Sequence, residues 1–353
     1  MSKFFNSPVV GIDVSADFSY VAILAPNGDV YKKSFKIKHD VSGFNHLVNE
    51  IKKVEKEFNM KSGIFMESTG VYHLSLFHYL KNTFDNTFVI NPLVTKCNKN
   101  VDIRKVKTDK KDAIRIATYA LEKSYKLVPY NSLEQKYEDL KFLSRQYNQR
   151  ISSVSYTKVQ LINLLDQTMP GITRILPLKS RNPEQCVLLL FIKRFKSFDE
   201  INKIGKTRFL SSYATLVKKT RDRHAPSKGL AIYELAKNSI TTRGEDPYIQ
   251  LAQSQCVDLL SSSQNAADEI ILQMQTIAET IPEYKVLRSM AGVGDRLGPI
   301  ILAEIGDIRR FHSGKALNSF AGNDAPPYQS GQFESRNRHI SKRGSAALRK
   351  ACF

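Results

Sequence analysis

A chain of 353 residues with 53 Lys plus Arg against 34 Asp plus Glu has a formal net charge of +19, and 42% of its residues are hydrophobic. That apolar content is enough for a folded core and excludes general disorder. No apolar run approaches the roughly 18 residues of a bilayer span and no signal-peptide core opens the chain, so a cytoplasmic protein without membrane contact is expected. The positive excess points to a polyanion, of which nucleic acid is the commonest large one, and the length predicts two or three domains.

From Val9, the stretch VVGIDVSADFSYVAILAPNGDVYKKSFKI reads as three strands joined by short connections, with Asn27-Gly28 as a turn. HDVSGFNHLVNEIKKVEKEF has helical spacing, with Phe44, Leu47, Val48 and Ile51 on one side. Residues 63–66 form a strand running into Glu67, residues 72–80 a helix, and TFVINP a short strand stopped near Pro92. Strands followed by alternating helix and strand predict an α/β domain over residues 1–130.

Residues 131–168 predict one long helix that pairs with a second at 247–280, and their partial heptads suggest a coiled coil between protomers. Between them, residues 191–228 hold 11 Lys or Arg and three acids, which reads either as a solvated linker or helical tip or as a backbone-binding surface. The last section, 281–353, contains LRSMAGVGDRLGPIILAEIGDIRRF. Its Gly292-Val293-Gly294 turn lies between two helical stretches, a helix-hairpin-helix pattern that presents backbone N–H groups to phosphate or serves only as a turn. The four cysteines, Cys97, Cys186, Cys256 and Cys352, are too scattered for a CxxC metal pair and read as reduced.

Four acids carry candidate chemistry. Asp13 and Glu67 end strands, while Asp109 and Asp112 in KTDKKDA share a helix face at i,i+3. Together they offer oxygen ligands for Mg²⁺ or Mn²⁺, two ions of which, roughly 3.5–4 Å apart, cleave phosphodiesters in other enzymes. Singly, each would be a cap or surface residue. Around the Asp pair runs a basic strip of Lys96, Lys99, Arg104, Lys105, Lys107, Lys110 and Lys111; it also contains Asp102, an alternative ligand that the helical pairing disfavours.

A second candidate centre lies in PPYQSGQFESRNRHISKRG, where Ser330 precedes Gly331 and is followed by Arg336, Arg338, Lys342 and Arg343. A positioned serine hydroxyl is a nucleophile, although most Ser-Gly pairs are turns and no GxSxG elbow surrounds this one. Ser335, Ser341 and Ser345 fall within the basic run and are weaker candidates.

These motifs, taken in order, resemble the DEDD transposases and Piv-type DNA invertases of bacterial insertion sequences, a family that includes bridge-RNA-guided serine recombinases. The resemblance rests on GIDVSADFSYVAI, FMESTGVYH and NPLVTKCNKNVDIRKVKTDKKDAIRIA, then on LRSMAGVGDRLGPIILAEIGDIRRFHSGKALNSFAGNDAPPYQSG and HISKRGSAALRKA. It implies a RuvC-like, RNase H-type N-terminal domain, a helical coiled-coil middle over 131–280, and a helical C-terminal transposase domain. In that family's scheme Asp13, Glu67, Asp109 and Asp112 hold the metal. Ser330, in YQSG, forms a covalent phosphoserine link to DNA, with Ser341 in ISKRG as its nearest rival. The implied partners are the DNA of element ends and target, a noncoding bridge RNA, and further copies of the chain as a dimer or tetramer.

Two local features depart from the family pattern. Asn323 and Asp324 stand where more apolar residues are expected, and the chain ends at Phe353 just after ALRKA, which suggests a trimmed sequence. The competing functions are a Piv-like invertase without RNA, a RuvC-like nuclease that only hydrolyses, and an inactive nucleic-acid-binding protein.

Overall fold

The computed structural model describes residues 4, 6–68, 70–90, 108–123, 135–178, 182–218, 220, 226–325, 329–330, 333–334 and 339–352. The chain divides into two compact units, residues 1–132 and 133–353. The first comprises β1 (Val9–Val14), β2 (Phe18–Leu24), β3 (Val30–Lys38), α1 (Val41–Phe58), β4 (Gly63–Glu67), α2 (Tyr72–Lys81), β5 (Thr87–Ile90) and α3 (Asp109–Lys123).

The strands make one five-stranded sheet in the order β3-β2-β1-β4-β5. β1, β2 and β3 are antiparallel, as short connections require, whereas β4 and β5, each reached through a helix, run parallel to β1. This mixed sheet with flanking helices is consistent with the RuvC-like, RNase H-type architecture implied by the resemblance. Alternation along β1 serves two cores, because the central strand is covered on both faces. Val10, Ile12 and Val14 pack with Ile64, Met66 and the α1 residues Leu47, Ile51 and Val54. Val9 instead joins Phe65, Phe88 and the α3 residues Ile116, Ala117 and Ala120. α1 starts where the Asp40 carboxylate accepts the Gly43 N–H at 2.7 Å and stops at Asn59, which has φ 51°.

The second unit contains α4 (Gln135–Thr168), α5 (Ile172–Ile175), α6 (Val187–Arg194), α7 (Phe198–Ile204), α8 (Lys206–Val217), α9 (Gly229–Asn238) and α10 (Pro247–Glu279). These are followed by α11 (Glu283–Ser289), α12 (Leu297–Ile305), α13 (Gly314–Ala321), the two-residue strands β6 (Gln329–Ser330) and β7 (Phe333–Glu334), and α14 (Ala346–Cys352). The two long helices pack antiparallel within one chain. Thr168, at the end of α4, meets Gln253, near the start of α10, at 2.5 Å, while Tyr137 and Leu140 share a core with Met274 and Ala278.

The buried α10 positions Val257, Leu260, Gln264, Ala267, Ile271, Met274 and Ala278 alternate three- and four-residue steps, and Ser144, Thr157 and Gln253 fill comparable buried positions. Polar residues in the seam are what leave only partial heptads in the sequence. The pairing needs no second copy of the chain. The described part of the basic stretch, residues 191–218, 220 and 226–228, is largely helical and not a solvated linker: Phe191, Phe195, Phe198, Phe209 and Tyr213 pack together with Leu161, Leu165 and Val257 of the long helices. Among the described residues no helix is long and apolar enough to cross a membrane.

Candidate acidic site and nucleic-acid contacts

Strand register brings the first two acids together. Ile12 pairs with Met66 on neighbouring parallel strands, so Asp13 and Glu67 are the next residues on each. Both lie on the face covered by α3: Asp13 follows Val9 and Gly11 at the strand period of two, and Glu67 follows Phe65. Gly11 permits the helix to come this close. A Cβ at that position would sit 2.3 Å from the Ala113 carbonyl oxygen and 2.5 Å from the Ala117 nitrogen.

The direction of α3 brings its acids to the same end of the sheet. Leu121, near its C-terminus, meets Gly28 in the turn beyond Leu24, and Leu24 is the partner of Val9 at the start of β1. Ser34 of β3 donates to the Lys110 carbonyl at 2.9 Å and anchors the first turn of the helix. The N-terminal turn carrying Asp109 and Asp112 therefore lies toward Asp13. Thr108 precedes it and accepts the Asp112 N–H at 3.0 Å through its carbonyl. Asp112 is 4% exposed and accepts from Arg115 Nη1 at 3.1 Å, whereas Asp109 is exposed.

Carboxylate oxygens alone, on two strand ends and one helix start, form a donor set suited to hard divalent cations. Among the described residues the side chains do not close into a group of three or more His, Cys, Asp or Glu with metal-holding geometry. Asp112 pairs with Arg115. Lys110 and Lys111 are exposed on the first turn of α3; Lys96, Lys99, Arg104, Lys105 and Lys107 lie outside the described residues, as does Asp102.

In the second unit, Ser330 pairs with Phe333 across the β6–β7 hairpin. Its side chain, Arg336 and Arg338 lie outside the described residues. Ser341 is engaged: its hydroxyl donates to Asp324 Oδ1 at 2.6 Å and its N–H to the Asp324 carbonyl at 2.7 Å. Asp324, which looked out of place in the sequence, thus has a partner. Lys342 adopts φ 53° and donates its N–H to Gly322 at 3.0 Å, and the exposed Arg343 follows.

Gly292 has φ 85° in the turn between α11 and α12, and a Cβ on either Gly292 or Gly294 would meet nothing within 4 Å. Arg288 braces this turn by donating to the Val293 carbonyl at 2.8 Å and pairing with Asp295, and Gln275 donates to the Asp295 carbonyl at 2.9 Å. One group was missed in the sequence. Glu304 of α12, 7% exposed, accepts from Ser345 at 3.2 Å and lies near Lys141. Burial pushes the Lys141 ammonium below its ordinary range; Arg145 adds to this and Glu304 opposes it. Glu304 sits in an apolar helical segment, and its burial could have been suspected from that alone.

Two transposase family models match the chain. The DEDD transposase model of the IS110 type covers residues 10–170, with the acidic end of the sheet, and the model of the IS116/IS110/IS902 transposase family covers 284–353. The chain belongs to the IS110 family of transposases. A relative from Streptomyces coelicolor, the 43.6 kDa protein of insertion element IS110, is 27% identical over 252 residues. That match spans 70% of this chain and 59% of the relative, so the chain covers less than two thirds of the relative's length. Both matched regions of this IS110-family chain hold its candidate chemistry, and the helices between residues 170 and 284 fall outside both models.

Proposed function

We propose that this IS110-family chain is a DNA recombinase of a mobile element, cutting and rejoining DNA through Ser330 with help from divalent metal. The observation that carries the reading is the arrival of Asp13, Glu67 and Asp112 at one end of the sheet, on the face under α3. Asp13, Glu67, Asp109 and Asp112 would hold Mg²⁺ or Mn²⁺, which supplies charge neutralisation and polarisation at the scissile phosphate when bound. Arg115, which donates to Asp112 Oδ1, would leave the second oxygen of that carboxylate for the metal.

In the covalent step the Ser330 hydroxyl loses its proton and its Oγ bonds to phosphorus. The bond from phosphorus to the leaving deoxyribose oxygen breaks, and that oxygen takes up a proton. Attack by the hydroxyl of the exchanged strand reverses both changes and frees Ser330, so the phosphodiester energy is conserved. Ser341 is the rival nucleophile: its hydroxyl donates to the Asp324 carboxylate, which would serve as its base, so Ser341→Ala is the control for the serine assignment.

Lys96, Lys99, Arg104, Lys105, Lys107, Lys110 and Lys111 would grip phosphates near the acids, as would Arg336, Arg338, Lys342 and Arg343 near Ser330. The open Gly292 and Gly294 turn would add backbone N–H donors. A noncoding bridge RNA and assembly into a dimer or tetramer rest on the family resemblance.

The test incubates full-length protein with element-end DNA, the adjacent noncoding RNA and Mg²⁺, and traps protein–DNA adducts. Wild type should give an adduct that is absent from Ser330→Ala and from Asp13→Asn. An adduct retained by Ser330→Ala sinks the serine assignment. Cleaved ends without any adduct favour the hydrolytic reading, and full activity without RNA favours the invertase-like one.

A further inference from the structure

The helix α8 has an unusual solvent side. It buries Phe209, Tyr213 and Val217 at four-residue steps. Its other side carries Thr207, Arg208, Ser211, Ser212 and Thr215, and its sequence KTRFLSSYATLV contains no acid. A merely solvated helix face gains from Glu, Lys, Gln and Arg, whereas Ser and Thr weaken a helix by competing for its backbone. Four hydroxyl residues gathered on one face therefore cost helix stability.

That face looks across a trough at the end of α6. Two cavities, of about 440 and 570 Å³, share Arg194, Ser211 and Ser212 as walls and so adjoin each other. Lys193 and Thr215 line the first, and Thr207 and Arg208 the second. The cations here are weakly committed. Lys193 meets Asp258 at 3.3 Å and Arg194 meets Glu200 at 3.9 Å, all four with exposed or partly exposed side chains, and such pairs contribute little. Arg208 makes no ion pair among the described residues.

We propose that the trough between α6 and α8 is a second nucleic-acid contact, holding the sugar–phosphate backbone of a strand. Arg194 and Arg208 donate to phosphate oxygens, and the Ser211 and Ser212 hydroxyls donate alongside them, a set that grips backbone without reading bases. Two joined cavities open to solvent suit a continuous strand better than a single small phosphate. The exposed Lys196 and Lys218 add positive charge to the same segment, whereas Lys203 and Lys206 pair with Glu245 and Glu234. The assignment rests on the reading that the chain acts on nucleic acid, but on neither Ser330 nor the acidic site.

The test measures binding of full-length protein to mixed-sequence duplex DNA and to mixed-sequence single-stranded RNA, by fluorescence anisotropy over a salt series. Arg194→Gln with Arg208→Gln should weaken binding about tenfold and flatten the log–log salt slope by about 1.8 on duplex DNA, or about 1.4 on a single strand. Ser211→Ala with Ser212→Ala and Thr215→Ala should weaken binding severalfold while the unfolding midpoint holds or rises, since alanine is the better helix former. Weakening on one probe alone identifies the strand as DNA or RNA. If wild type binds and both variants match it on both probes, the trough is an ordinary solvated face. If wild type binds neither probe, the nucleic-acid reading itself fails.

Discussion

Gly11 shows how one residue sets the approach of a helix to a strand. Its missing side chain lets α3 pass within contact distance of β1, and that passage points the helix start toward the end of the sheet that carries Asp13. Gly11→Ala should destabilise the N-terminal unit by about 3 kcal/mol, because the clash is with backbone and no side chain can swing away. Urea denaturation would check this, and an unchanged midpoint would show that α3 sits farther from β1. Asp13 and Glu67 were legible as strand-end acids from their sequence context. The engagement of Asp324 with Ser341 and of Glu304 with Ser345 was not, since those partners are 17 and 41 residues apart and only packing brings them together.

Element pairings make their own predictions. β3 is tied to α1 by Glu50, which accepts from Lys32 at 2.5 Å and from Lys53 at 2.9 Å, and hydrogen bonds from these ammoniums hold its carboxyl below the ordinary range. A depressed carboxylate contributes stability above its unfolded pKa, and that contribution is lost as pH falls through the folded value. Glu50→Gln should therefore lower stability at neutral pH and flatten the acid limb of a pH–stability curve, the two proteins converging at low pH. In the α4–α10 seam the Ser144 hydroxyl is buried and has no hydrogen-bond partner among the described residues. Ser144→Ala should stabilise the chain by about 1 kcal/mol, read as a higher unfolding midpoint, because it removes an unsatisfied polar group and adds a better helix former. Both long helices and their pairing were readable from the lack of interior proline and from apolar spacing; that the pairing closes within one chain was not, because Ser144, Thr157 and Gln253 break the apolar repeat and leave its register open.

For the whole molecule, the two units carry separate hydrophobic cores, residues 1–132 around the sheet and 133–353 around the helices. A fragment of residues 1–132 should unfold cooperatively in urea, with near-UV and far-UV signals moving together; non-coincident transitions would show that its core needs the rest of the chain. The sequence by itself determined the α/β start, the long helices and the basic excess and put forward the four candidate acids, because periodicity, charge and local motifs act over a few residues. Tertiary structure alone decided the face on which Asp13 and Glu67 stand, the end of the sheet to which α3 brings Asp109 and Asp112, and the packing of residues 191–218 into a helical cluster with a hydroxyl-lined trough. Those outcomes depend on strand register, on the close approach at Gly11 and on aromatic packing between distant segments, where burial of shared surface decides and no local pattern records it.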